Sequence, residues 1–192
     1  MIGQVTEIVD SDRLLAEVRR LRERVTELQQ RVEQLDELAH QDVLMDLPNR
    51  RGFMRELDRL VARATRYGTR AAMLFVDVDG LKIINDSFGH QAGDQALIQV
   101  AQQLKAGVRR CDIVGRLGGD EFGILLEQAD EPSARETALR LREQIAACEF
   151  LHDGDALPLS VAIGVAMIDG QASSAEVMAA ADEEMYRRKA AA

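Results

Sequence analysis

The chain has 192 residues, a formal net charge of −9, 46% hydrophobic residues and 30% charged residues. Such a chain can hold one ordinary domain and an extension, which excludes two full catalytic domains. The composition predicts a globular protein with a sizeable core, and the acidic balance argues against nucleic acid as a partner. A nucleotide ligand is compatible with this charge, because a metal ion and a few local cations can hold phosphates.

The spacing of the cysteines and the length of the apolar segments indicate the cellular location of the protein. Cys111 and Cys148 have the spacing of neither a metal site nor a disulfide framework, which is typical of a reducing compartment. No apolar stretch approaches the roughly 18 residues of a membrane span. The N-terminus also lacks the pattern of a signal peptide. We therefore expect a cytoplasmic location without membrane insertion.

Residues 11–41 contain neither glycine nor proline and carry a heptad pattern. Its apolar positions alternate in steps of four and three, with valine at a and leucine at d: Leu14, Val18, Leu21, Val25, Leu28, Val32 and Leu35. β-Branched a positions with leucine at d favour a parallel two-stranded coiled coil, so we predict a homodimer. The alternative is one amphipathic helix packed on its own domain, but such a helix usually shows a wider apolar stripe.

The segment Asp46–Asn49 breaks the helical pattern, and a second region follows it. Its periodicity predicts a helix after Pro48, a strand over Ala71–Val76 and then two helices, of which the second covers 91–108. Two short strands follow, over Ile113–Leu117 and Phe122–Leu126. The chain then continues with a helix to about Cys148, a strand over 159–167 and a final helix. Ser133 with Glu136 predicts a capping box for the helix before Cys148. Ser173 with Glu176 predicts another for the final helix. This order predicts an α+β fold, with helices packed on a sheet that contains an antiparallel hairpin.

Two acidic clusters stand at the ends of predicted strands. Asp77-Val78-Asp79 follows the first strand, and Asp120-Glu121 lies at the tip of the hairpin. Mg²⁺ prefers carboxylate oxygens and commonly shares them with substrate phosphates. Two metals held in this way can activate a hydroxyl and stabilise the leaving oxygen of a nucleotidyl transfer. Either cluster alone is more often a solvated turn, so the surrounding sequence decides between the two interpretations.

The surrounding sequence resembles one family. Gly118-Gly119-Asp120-Glu121-Phe122 resembles the motif that names the GGDEF family, whose active members are diguanylate cyclases. The segment Phe75–Asp79, followed by Lys82 and by Asn85–Asp94, resembles a second family signature at every named position. The other matching segments are Asp42–Leu44, Leu47–Arg51, Ser160–Ala166 and Ala181–Lys189. The resemblance covers roughly residues 40–189, and the combination of motifs is highly specific.

The resemblance implies an architecture and a reaction. It implies a palm-like sheet of the nucleotide-cyclase, ferredoxin-like type, in residues 42–192, after a coiled-coil dimerisation helix in residues 1–41. It implies that the protein condenses two GTP molecules into cyclic di-GMP and two pyrophosphates. The implied cofactor is Mg²⁺, with Mn²⁺ as an alternative.

The resemblance also assigns roles to the two acidic clusters. Asp77, Asp120 and the backbone carbonyl of Val78 are expected to bind the metal ions. Asp120 or Glu121 is expected to help deprotonate the attacking 3′-hydroxyl, and the sequence does not decide between them.

For the nucleotide, Asn85 and Asp94 are expected to read the guanine edge, which an amide and a carboxylate can match. Lys82 and Lys189 are expected to contact the triphosphate. The remaining expected contacts with the substrate come from the backbone. Amides at Gly80, Leu81 and Lys82 form an anion-binding turn at a helix start, and Gly118 and Gly119 let the backbone approach the nucleotide closely.

A third signature is the RxxD segment Arg109–Asp112, five residues before the hairpin motif. It resembles the family's inhibitory site for cyclic di-GMP, where Arg109 contacts phosphate or guanine and Asp112 contacts the guanine N–H edge. Arg140 stands where a second arginine often completes that site. The alternative function is a catalytically weak or dead domain that acts as a cyclic di-GMP receptor, but such a receptor needs no acidic metal site.

Three positions depart from the family pattern. Met45-Asp46 replaces the usual Thr-Gly, from which we expect altered packing. Gly80 and Leu81 stand where aromatic residues are frequent, which is expected to loosen the triphosphate loop. Ala190-Ala191-Ala192 follows Lys189 in place of the usual G-R-N-R, from which we expect weaker triphosphate binding.

Overall fold

The computed structural model describes residues 17–32, 36 and 39–190. By its contacts the chain divides into two compact units, Met1–Ala39 and His40–Ala192. In the first unit, residues 17–32 are helical. The predicted seam positions in this helix are 43–65% exposed: Val18, Leu21, Val25, Leu28 and Val32. Leu14 and Leu35, which complete the predicted seam, lie outside the described residues. An exposed Val/Leu stripe is consistent with the predicted coiled coil.

The second unit contains, among its described residues, five helices and six strands. In chain order they are α1 (Arg50–Tyr67), β1 (Ala71–Val78), α2 (Leu81–Phe88), α3 (His90–Ala106), β2 (Ile113–Arg116), β3 (Glu121–Glu127), α4 (Glu131–Ala146), β4 (Phe150–His152), β5 (Asp155–Leu157), β6 (Val161–Ile168) and α5 (Ser174–Ala190). No helix among the described residues is long and apolar enough to span a bilayer.

Four strands form one antiparallel sheet in the order β2-β3-β1-β6, and β4 pairs with β5 in a separate hairpin. Helices cover both faces of the sheet. Leu104 of α3 and Leu141 of α4 belong to the apolar layer on one face. Phe53 of α1 and Met185 of α5 belong to the layer on the other face. The predicted α+β fold is therefore confirmed.

Helix α5 packs directly on β6. A β-carbon at Gly164 of β6 would collide with the carbonyl of Ala181 and the backbone of Met185. Only glycine permits this separation, and the small neighbours Ala162 and Ala166 are buried on the same strand. This close contact fixes the helix that carries Lys189.

Several predicted boundaries and one predicted cap differ from the structure. Strand β1 extends to Val78, because its pairing with β6 continues past the first charged residue, with Val78 opposite Val161. The helix predicted over 91–108 ends at Ala106, and the cap Gly107 follows it. The capping box of α4 is formed by Asp130 and Ser133, so Ser133 is not the N-cap and Glu136 takes no part.

The cap of α5 and the hairpin β4–β5 also bear on the predicted elements. The capping box of α5 is confirmed, since the Glu176 carboxylate accepts from the Ser173 amide at 2.8 Å. The hairpin β4–β5 was missed, because strands of three residues are too short to show an alternating pattern.

Candidate active site

The two acidic clusters meet at one end of the sheet. Strands β1 and β3 pair antiparallel, with Asp77 directly opposite Glu121. The amide of Val78 donates to the carbonyl of Asp120 at 3.0 Å, so the pairing continues into the hairpin turn. Opposite residues in such a ladder have their Cβ atoms about 5 Å apart. The structure therefore brings together Asp77, Val78, Asp120 and Glu121, as the motifs predicted.

Carboxylates crowd around Glu121. Burial raises its pKa, and the negative charges of Asp120, Asp182 and Asp77 raise it further, while Arg50 lowers it. Asp182 and Arg50 were not among the predicted site residues, although both lie in segments that match the family. Concentrated negative charge of this kind favours the binding of a cation.

These residues fit a magnesium site. Their oxygens are the hard donors that Mg²⁺ takes, and Mg²⁺ commonly uses only one or two carboxylates with substrate phosphates. Within the described ranges, no three His, Cys, Asp or Glu side chains are already grouped as a metal site. That finding is compatible with a site that a backbone carbonyl and phosphates complete.

Lys189 lies on this acidic cluster. Its Nζ donates to Oδ1 of Asp77 and lies 3.7 Å from Oδ1 of Asp79. The pKa of Lys189 is raised chiefly by its hydrogen bond to Asp77, and burial opposes that effect. Asp79 is also fixed, because its carboxylate accepts from Oγ of Ser160 at 2.9 Å. The lysine predicted to contact triphosphate is thus placed beside the predicted metal ligands.

The predicted phosphate turn precedes α2. Gly80 has φ +68, a left-handed conformation that favours glycine, and it forms the N-cap of α2 without a side-chain hydrogen bond. The exposed Lys82 follows in the first turn of the helix. The first amides of a helix have no intrahelical acceptor, so this turn can bind an anion. The glycine that departs from the family pattern is therefore suited to the backbone at this position.

The predicted guanine-reading residues come together where α2 meets α3. Asn85 is half-buried on α2, and Gly93 of α3 lies so close to it that a β-carbon there would collide with the Asn85 side-chain oxygen. Asp94, the residue after Gly93, is exposed. The glycine therefore allows the amide and the carboxylate to lie on neighbouring helices.

Arg116 holds the hairpin turn. Its Nε donates to the carbonyl of Gly118 at 3.0 Å, and its Nη2 donates to the carbonyl of Gly119 at 2.8 Å. Its Nη1 lies 3.3 Å from the carboxylate of Asp42, and only 16% and 14% of the two side chains is exposed. Asp42 in turn accepts from the amide of Leu44 at 2.9 Å. The Arg116 guanidinium thus connects Asp42, near the start of the second unit, to the hairpin turn at Gly118 and Gly119. The motifs did not indicate this structural role.

The departure at Met45-Asp46 has a structural explanation. The Met45 side chain is buried, and Asp46 pairs with Lys105 of α3 at 3.2 Å. At these two positions, Met45 thus adds to the apolar core and Asp46 makes an exposed ion pair with α3.

The predicted inhibitory residues line one cavity of about 310 Å³, which lies near the opposite end of β3 from Glu121. Arg109, Asp112 and Arg140 are among its lining residues. Asp112 also has a structural role, since its carboxylate accepts from the amide of Arg109 at 2.8 Å and from that of Glu127 at 3.1 Å. The Cys111 thiol also donates to it at 3.8 Å. A carboxylate has about four acceptor sites, so about one remains for a ligand.

We expect Arg116→Gln to weaken the domain, because it leaves the Gly118 and Gly119 carbonyls and the Asp42 carboxylate without their shared donor. The predicted loss is about 2–4 kcal/mol of unfolding free energy, measured by urea denaturation. Lys105→Gln is the matched control, because the pair of Lys105 with Asp46 is exposed and should contribute less than about 1 kcal/mol. In a double-mutant cycle, Asp42→Asn and Arg116→Gln should be non-additive, and additive effects would contradict the bridge.

The chain is similar to known proteins of one family. A family model described as "Diguanylate cyclase, GGDEF domain" matches residues 39–192. The diguanylate cyclase DgcP of Pseudomonas aeruginosa is 37% identical over 150 residues, which are 78% of this chain and 22% of that protein. The diguanylate cyclase DosC of Escherichia coli is 40% identical over 149 residues, which are 77% of this chain and 32% of that protein. The chain therefore spans about a fifth to a third of these relatives.

A solved structure extends the likeness to the fold. The coiled coil and GGDEF domain of DgcB from Caulobacter crescentus, solved in complex with c-di-GMP, matches with a TM-score of 0.85 and 28% sequence identity. The match covers 93% of this chain and 95% of the DgcB chain. The antiparallel sheet, the paired acidic clusters on β1 and β3 and the family match together show that the chain belongs to the GGDEF domain family.

Proposed function

We propose that this protein is a diguanylate cyclase, which condenses two GTP molecules into cyclic di-GMP and two pyrophosphates. The observation that supports this proposal most directly is the β1–β3 register, which puts Asp77 opposite Glu121 and pairs the backbone of Val78 with that of Asp120. Two named diguanylate cyclases at 37% and 40% identity support the same reaction. A receptor for cyclic di-GMP would have no use for this acidic cluster, so the enzyme is the better explanation of the site.

The chemistry divides among the acidic residues. Asp77, Asp120 and the carbonyl of Val78 would hold Mg²⁺, with Mn²⁺ as an alternative. When bound, such an ion lowers the pKa of a hydroxyl and stabilises charge on phosphate oxygens. Glu121 is the better candidate for accepting the 3′-hydroxyl proton, because its raised pKa brings it closer to working pH than an ordinary carboxylate. The 3′-oxygen then attacks the α-phosphorus, and the bond to the departing pyrophosphate breaks.

Substrate binding uses the residues around this cluster. Asn85 and Asp94 would bind guanine, while Lys82, Lys189 and the first amides of α2 would bind phosphates. Lys189 lies on Asp77 in this structure. With a metal ion held at Asp77, Lys189 would contact the triphosphate instead, because two cations at one carboxylate would repel each other. The backbone at Gly118 and Gly119 would then lie against the nucleotide.

The activity is tested by incubating purified protein with GTP and Mg²⁺ and identifying nucleotides by chromatography. Asp120→Asn should lower turnover by about 10²-fold or more, because it removes a charge that would hold the metal ion. Asp58→Asn is the control, since Asp58 is an exposed carboxylate on α1. Near-normal cyclic di-GMP production by the Asp120 variant would refute its assignment. A parent protein that binds cyclic di-GMP but produces none would favour the receptor.

The proposed enzyme works as a homodimer. Each chain carries one set of guanine-binding residues, while the product requires two GTP molecules that attack each other's α-phosphates. Two domains must therefore face each other across a two-fold axis. The exposed Val/Leu stripe of the first unit is the proposed means, and a tether of this kind raises the local concentration to about millimolar. The proposed domain limits are 1–41 for the coil and 42–192 for the catalytic domain.

The double substitution Val25→Glu and Leu28→Glu should produce monomers, measured by light scattering, because it places like charges in the seam. Activity should then fall steeply on dilution, while GTP binding per chain stays nearly unchanged. Thr26→Glu with Gln30→Glu is the control, since it adds the same two charges outside the a and d positions. Full activity of the seam variant at every dilution would show that another contact assembles the catalytic pair.

The cavity that contains Arg109, Asp112 and Arg140 is the proposed site of product feedback. Arg109→Ala should weaken cyclic di-GMP binding about tenfold or more, because it removes a charged contact with phosphate or guanine. Product inhibition in progress curves should be relieved in parallel. Arg110→Ala is the matched control, because Arg110 does not line this cavity. Equal inhibition in the parent and the Arg109 variant would contradict the proposed feedback site.

A further inference from the structure

The hairpin β4–β5 packs beside the corner where α2 meets α3. Phe150 of β4 is buried and belongs to the same apolar layer as Leu97 of α3. Side chains two residues apart on a strand share a face, so His152 points to the same side as Phe150. Only 12% of the His152 side chain is exposed, whereas Leu151 between them lies on the opposite face and is 56% exposed. The hairpin therefore turns His152 towards the domain.

His152 contacts both helices of this corner. Its ring meets the ring of Phe88, the last residue of α2, edge to face, with the two centroids 6.2 Å apart. Its Nδ1 lies 2.9 Å from the side-chain oxygen of Gln95 on α3. An amide oxygen can only accept, so Nδ1 is the donor of this hydrogen bond. One half-buried side chain thus connects α2, α3 and the hairpin.

Both partners of His152 are close neighbours of the residues expected to read guanine. Gln95 directly follows Asp94 on α3. Phe88 lies three residues after Asn85 on α2, and residues at this spacing are neighbours on a helix surface. A shift of either helix against the hairpin would therefore move one of the two guanine-reading side chains.

The connection between α2 and α3 is short. Gly89 is the single residue between the two helices, and its φ of +85 is a conformation that favours glycine. Because glycine has a wide range of accessible backbone conformations, the angle between the helices depends on contacts made by other residues. Gly93 makes one such contact, since it lies against Asn85. His152 makes two more, one with each helix.

We propose that His152 is a positioning residue for guanine recognition. It holds α2 and α3 at the separation at which Asn85 and Asp94 can hydrogen-bond one guanine together, and it acts through these two residues. The proposal rests on the cyclase function, because they read guanine only if GTP is the substrate. It extends that function to the choice of base, since a misplacement of about 1 Å is enough to lose such a fit.

The first test separates substrate binding from turnover. His152→Ala should raise KM for GTP about tenfold, while kcat changes by less than about twofold, because the acidic residues on β1 and β3 are untouched. Leu151→Ala is the matched control, since it shortens the neighbouring side chain on the exposed face of the same strand. It should leave both constants at the parent values. A His152→Ala variant with the parent's KM would overturn the proposal.

Two conservative variants separate the contacts of His152. His152→Asn keeps an N–H donor near the position of Nδ1 and loses the ring, whereas His152→Phe keeps an aromatic ring and loses the donor. Each should recover part of the affinity that His152→Ala loses. The ligand is an unreactive GTP analogue with a methylene group between the α- and β-phosphorus. These variants also carry the test if His152→Ala does not fold, because parent affinity in both would show that neither contact positions the readers.

Selectivity for the base distinguishes positioning from a purely structural role. Inosine lacks the exocyclic amino group of guanine, so a carboxylate such as Asp94 has one donor fewer to bind. The parent should prefer the GTP analogue over the corresponding inosine nucleotide, and His152→Ala should reduce that preference about fivefold. In an Asp94→Asn background, His152→Ala should cause little further loss. Equal losses for both nucleotides would show that His152 only stabilises the domain, which would overturn the proposal.

These measurements fail independently of the cyclase assay. If the parent makes cyclic di-GMP while His152→Ala keeps the parent's KM and base preference, the positioning role is wrong and the enzyme remains. If the parent makes no cyclic di-GMP but binds the GTP analogue with a preference that depends on His152, the positioning role is supported and the reaction is wrong.

Discussion

The antiparallel pairing of β1 with β3 in a single register supports both the core and the candidate site. Seven consecutive residues of each strand are paired, from Ala71 with Glu127 to Asp77 with Glu121. A slip of one residue would turn every side chain of a strand to the opposite face. It would move Phe75 and Val76 into the wrong apolar layers and separate Asp77 from Glu121. Burial of the core therefore enforces the approach of carboxylates that would otherwise repel each other.

Cations at the edge of this cluster reduce the electrostatic repulsion among its carboxylates. Arg50 lowers the pKa of Glu121, and Lys189 neutralises Asp77. Arg116 acts differently, since it binds backbone carbonyls of the turn and the Asp42 carboxylate. These hydrogen bonds stabilise the conformation of the turn. The geometry of the acidic site thus depends on cations that come from three separate elements.

The sequence predicted most strands and helices, because their apolar periods are regular, and it predicted the acidic cluster from its motifs. It missed contacts without a local pattern. Arg116 and Asp42 are 74 residues apart, and Arg50 and Leu117 are 67 apart. The capping box of α4 was misassigned because Asp130 and Ser133 both suit an N-cap, and only the hydrogen bonds distinguish them.

Helix α5 links the stability of the sheet to phosphate binding. Its Glu184 accepts from the amide of Val165 on the edge strand β6, a position where unpaired groups would otherwise invite association with another strand. Its last turn carries Arg187, Arg188 and Lys189, and cations there are stabilised by the negative end of the helix dipole. Packing at Gly164 holds the helix against the strand, so the contact that covers the edge also fixes Lys189 beside the acidic cluster. A substitution that weakens the packing of α5 on β6 should therefore weaken phosphate binding, even though it replaces none of the phosphate-binding residues.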